Sequence, residues 1–73
     1  MQRKLPFRCQ VVDKNPQWVK NPYTGEGYLL LPDAVAVYDT IKGAEMFRDF
    51  ATVRKGLDWF RKHEPKAYMV LLD

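Results

Sequence analysis

A chain of 73 residues with a net charge of +3 and a single cysteine has room for one domain and none for an intrachain disulfide. Its 47% hydrophobic and 14% aromatic content is globular rather than disordered. One histidine and one cysteine exclude a zinc site of the usual kind, the carboxylates lack calcium-loop spacing, and no apolar run reaches the length of a signal peptide or membrane span. The expectation is a cytoplasmic, soluble, single compact domain over residues 1–73, with no cofactor and no metal.

In chain order, Phe7, Cys9 and Val11 alternate with Arg8, Gln10 and Val12, which predicts a half-buried strand over Phe7 to Asp13. Lys14-Asn15-Pro16 breaks it. Trp18 and Val19 begin a second strand that Asn21-Pro22 stops, and Tyr28 to Leu31 is a short apolar run closed by Pro32-Asp33. Val35 to Asp39 reads as the next strand. Thr40 to Gly43 suits a hairpin loop, with Gly43 free to take a positive φ, and Ala44 to Phe50 is the partner strand.

A helix is predicted over about residues 52–63. Thr52 is its N-cap, and Val53, Leu57 and Phe60 recur at i, i+4, i+7 as a core-facing stripe. Arg54, Lys55, Asp58, Arg61 and Lys62 fill the opposite arc, and Trp59 covers the rim of the core with one side exposed. Glu64-Pro65 ends the helix, because the residue before proline is pushed out of the α region. Gly56 costs about 1 kcal/mol relative to alanine inside a helix, which marks a close approach to the sheet. Ala67 to Leu72 reads as a last strand with apolar residues on both faces: central, covered on both sides, or an edge that forms a homodimer. The sum is an α+β fold, a small antiparallel sheet of 3–5 strands with one α-helix packed on one face.

The chemistry of most enzymes is missing. Cys9 and His63 supply residue types for a nucleophilic pair but no proximity, and Cys9 reads better as a small core hydrophobe. Thr24-Gly25-Glu26-Gly27 lacks the spacing, lysine and following helix of a phosphate loop. A non-enzymatic protein is expected.

Two surfaces are candidates for binding. The turn-rich stretch WVKNPYTGEGY offers Trp18, Lys20, Tyr23, Glu26 and Tyr28 to a protein partner, since aromatic side chains bury much area with few rotors to freeze. The turn itself needs only small or polar residues, so Tyr23 at its tip is surplus apolar area. Small domains of this general type are common among phage and mobile-element proteins that block a host protein, so an inhibitor is one form such binding would take, though no motif here carries it. The alternative is nucleic acid on the basic N-terminal third, through Arg3, Lys4, Arg8, Lys14 and Lys20. The segment VYDTIKGAEMFRDFATVRKGLDWFRK runs strand, glycine turn, strand, Thr-capped helix. In that order it resembles the three-stranded-sheet-plus-helix modules at the N-termini of tyrosine-type phage integrases, which implies a sheet laid in the major groove. The sequence departs from those modules by carrying Asp39, Glu45 and Asp49 where the DNA-facing sheet should be basic.

Overall fold

The computed structural model describes residues 3–12 and 14–72. Among them the chain forms a two-stranded antiparallel hairpin followed by three helices. The strands are β1 (Gln17–Lys20) and β2 (Gly27–Leu30), and the helices are α1 (Pro32–Met46), α2 (Phe50–His63) and α3 (Pro65–Leu71). The α+β class stands. The sheet of 3–5 strands with one helix does not, because four predicted strands are helical or unpaired.

The largest correction is α1. Val35 to Asp39 is helical, Thr40 to Gly43 is a helix interior, and of Ala44 to Phe50 the first three residues complete the same helix while the rest turn the corner into α2. The start is set locally: Leu31, before a proline, is extended, and Pro32 takes the first helical turn, where its missing N–H costs nothing. Residues Ala34 to Tyr38 are all buried. A helix covered on several sides shows no 3.6-residue stripe, so AVAVY imitates a strand.

The segment Val37 to Lys62 is therefore two helices joined by a corner, and the resemblance to the integrase modules falls with its strands. The corner is a Schellman closure: Asp49 N–H donates to the Ala44 carbonyl (2.9 Å) and Arg48 N–H to that of Glu45 (3.1 Å). Arg48 takes the left-handed position at φ 57°, where glycine is usual. Asp49 then caps α2, accepting from the Thr52 N–H (3.3 Å) and hydroxyl (2.7 Å). The cap is Asp49, not Thr52, and the helix begins two residues before the predicted 52.

Within α2, Gly56, Trp59 and Phe60 are buried, while Val53 and Leu57 are only partly so. Trp59 is not at a rim: it is 6% exposed, meets Phe60 edge-to-face with centroids 5.3 Å apart, and donates its indole N–H to the Lys4 carbonyl (2.7 Å). Gly56 does mark a close approach, but to Ile41 of α1 rather than to the sheet.

Ala67 to Leu72 is helix α3 with its end, not a strand. Pro65 opens it, and Ala67 and Leu71, one turn apart, are its buried pair. It packs between α2 and β2, which explains its apolar residues on both faces. With no strand there, the edge proposed for a homodimer does not exist.

Phe7 to Val12 forms no strand either, and Asp13 lies outside the described residues. The alternation is real: Phe7, Cys9 and Val11 are half-buried, and Arg8, Gln10 and Val12 are exposed. Its inward side chains pack on the helices instead of joining a sheet: Phe7 approaches Gly56 of α2, and Cys9 lies against Thr40 of α1.

Candidate functional site

The hairpin is the part of the fold that presents large apolar side chains outward. Its register pairs Trp18 with Leu29, Val19 with Tyr28, and Lys20 with Gly27. Side chains alternate across a strand, so Val19, Tyr28 and Leu30 face the core while Trp18, Lys20 and Leu29 face out. Trp18 is 67% exposed and Leu29 56% exposed, side by side as a cross-strand pair. The Trp18 indole lies over Gly27, occupying the space a side chain there would fill. The glycine thus fixes where the indole rests. Tyr28 belongs to the core side, so it supports this face rather than forming it.

The turn between the strands is held by one buried side chain. Asn21 Oδ1 accepts from the Tyr23 N–H (2.8 Å) and the Thr24 N–H (3.4 Å), and Nδ2 donates to the Val70 carbonyl of α3 (2.9 Å). Asn21 N–H donates to the Glu26 carbonyl (2.7 Å), and Gly25, at φ 81°, donates to the Asn21 carbonyl (2.9 Å). This bonding leaves Tyr23 91% exposed at the tip, with the Glu26 side chain exposed beside it. Asn21→Ala leaves buried backbone groups unpaired and should lower stability by about 1–3 kcal/mol. Urea unfolding measures it, and an unchanged midpoint would show that the bond to Val70 contributes nothing.

Beside the turn, Lys20, Pro22 and Tyr23 face Tyr38, Lys42, Glu45 and Met46 of α1 across an open groove of about 580 Å³. Lys42 Nζ stands 5.5 Å from the centre of the Tyr38 ring and 3.7 Å from Glu45. Burial pushes the Tyr38 phenol above its usual range, and the charges of Glu45 and Asp39 add to the shift. Tyr38, Lys42 and Met46 escape sequence reasoning because that segment reads as a β-hairpin. A second exposed apolar cluster, Met46, Phe47 and Phe50, marks the α1–α2 corner.

The basic residues of the N-terminal third do not form one surface. Arg3 is engaged: its guanidinium bonds both oxygens of Asp33 (2.8 and 2.7 Å), reaches Glu64 (2.7 Å), and lies over the Trp59 ring. Arg8 is exposed beside Asp49, Lys14 is exposed, and Lys20 lies on the hairpin. Lys4 joins cations of α2, and Lys20 stands across a groove from Lys42 of α1.

Burial raises the Cys9 thiol above its usual range, partly offset by a hydrogen bond with Thr40, so Cys9 is no ready thiolate. His63 packs on Trp59, with ring centroids 5.1 Å apart. No hydrogen bond joins Cys9 to His63, and no group of three metal-ligating side chains occurs, among the described residues. No described helix is long and apolar enough to cross a membrane. No family model, no curated protein and no solved structure matches the chain.

Proposed function

We propose that the protein is a non-enzymatic protein-binding module that docks through the outer face of its hairpin. The observation that carries this reading is the exposed Trp18–Leu29 pair, with Tyr23 at the adjoining turn. Tryptophan and tyrosine supply the largest share of interface energy per side chain. Here they are pre-set: Gly27 seats the indole and Asn21 fixes the turn. Pre-organised groups lose less entropy on binding than mobile ones. Lys20, on the same face, and Glu26, at the turn, supply polar contacts at the margin, the usual arrangement of an apolar centre and a charged rim.

The test is a photo-crosslinking amino acid placed at Tyr23 and, separately, at Leu29, with Lys66 on α3 as a remote position. Capture of one and the same polypeptide from both hairpin positions, absent from Lys66 and lost on adding Trp18→Ser, supports the reading. Capture that is equal from all three positions, or indifferent to Trp18, overturns it. Circular dichroism of the Trp18→Ser variant keeps loss of fold apart from loss of binding.

A further inference from the structure

A second surface, away from the hairpin, has different chemistry. A groove of about 380 Å³ runs between the N-terminal segment and α2, with Lys4 on one wall and Lys55, Lys62 and His63 on the other. Lys55 and Lys62 share a helix face because they stand about two turns, or about 10 Å, apart along the axis. The groove holds one carboxylate, Asp58, and it is already bonded to Arg61 (2.7 Å). Among the described residues, no carboxylate lies within ion-pair distance of Lys4, Lys55 or Lys62. Three exposed ammonium groups thus face one open groove, in which Asp58 is the one lining carboxylate among the described residues and the charge of Asp49 is close enough to act on Lys55.

We propose that this groove grips the phosphate backbone of a nucleic-acid strand. The charges sit on two walls and extend over two helical turns, which suits a chain of repeating anions better than a single ion. The chemistry is phosphate contact without base readout. Trp59 is buried, and its indole N–H is spent on the Lys4 carbonyl, so the one ring left to the groove is the half-buried His63 imidazole, itself packed on Trp59. An acidic protein partner would want a large apolar anchor at the centre of its interface, and the half-buried Leu5 and Pro6 beside the buried Trp59 supply little exposed area for one. The surface does not include the hairpin, so it stands or falls apart from protein binding there.

Fluorescence anisotropy of a labelled oligothymidine strand with the full chain tests it. Binding at low salt should weaken as salt rises, with a log–log slope of about −2 for three neutralised phosphates of a single strand. Lys55→Gln with Lys62→Gln should weaken binding about tenfold or more while the thermal melt is unchanged. Arg48→Asn with Lys66→Gln removes the same charge outside the groove and should leave binding within about twofold. The proposal is overturned if the strand does not bind at low salt, or if both double variants weaken it equally. It is overturned too if polyglutamate or vesicles of phosphatidylserine compete as well as unlabelled oligothymidine.

Discussion

Arg3→Ala should cost about 2–4 kcal/mol at neutral pH, a large share of the stability of a domain this small. The side chain is 23% exposed, and its partners Asp33 and Glu64 are 14% and 18% exposed. Truncation removes a bidentate pair to Asp33 at the start of α1, a second pair to Glu64 at the α2–α3 junction, and a cation over the Trp59 ring at 4.8 Å. It also leaves two carboxylates side by side in a partly dry site. One residue thereby ties the N-terminal segment to all three helices, and the neighbouring Lys4 carbonyl, which holds the Trp59 indole, comes loose with it. The melting temperature should fall by about 10 °C or more, since about 1 kcal/mol moves it by 4–8 °C in a domain of this size.

Acid should reproduce part of that loss. The Arg3 guanidinium holds the Asp33 carboxyl below its usual range, against a burial effect that acts in the other direction. A carboxylate whose folded value is depressed stabilises the protein above its unfolded value of about 3.9, and that contribution fades as pH falls through the lower folded value. Wild type should therefore lose stability steeply below about pH 4, and Arg3→Ala less steeply. Thermal melts of both proteins across that range decide it. Parallel curves would mean that the Arg3–Asp33 pair contributes nothing.

The elements that sequence logic places correctly are those with local punctuation. Asn21-Pro22 and Gly25 fix the hairpin turn, and Pro65 stops α2 where expected. Misreadings occur where burial erases the pattern. AVAVY in α1 and AYMVLL in α3 are short apolar runs enclosed on more than one side, and periodicity cannot then tell helix from strand. The strap over Phe7 to Val12 shows a true alternation but packs on helices, so its period alone does not name its partner. Of the hairpin, the turn and Trp18 follow from local signals, whereas Leu29 hides within the apolar run Tyr28 to Leu31, and Tyr28, expected at the binding surface, faces the core. The Arg3 clamp and the Lys4–α2 groove join residues far apart in the chain, with Arg3 and Glu64 separated by 61 positions, and no local signal announces them.

Two helical glycines should respond in opposite ways to the same substitution. Gly43, in α1, has open space where a side chain would begin, so Gly43→Ala should stabilise by about 0.5–1 kcal/mol through helix propensity alone. Gly56, in α2, has none. A methyl group there would overlap Cγ1 of Ile41, stand 2.6 Å from its Cδ1 and touch the Phe7 ring at 3.4 Å. Ile41 is fully buried and cannot swing aside into solvent. Overpacking of this kind costs about 1–3 kcal/mol or more, against about 1 kcal/mol regained in propensity. Gly56→Ala should therefore lose up to about 2 kcal/mol, and Gly56→Leu about 3 kcal/mol or more, which brings a domain of this size close to unfolding. A double-mutant cycle isolates the cause. Ile41→Ala alone opens a cavity worth about 2–5 kcal/mol, and in the Gly56→Ala background the added methyl fills part of it. The two substitutions together should be milder than their sum by about 1 kcal/mol or more in urea unfolding. Simple additivity would mean that α1 and α2 separate to admit the methyl, and that the close approach at Gly56 is not what holds the two helices in register.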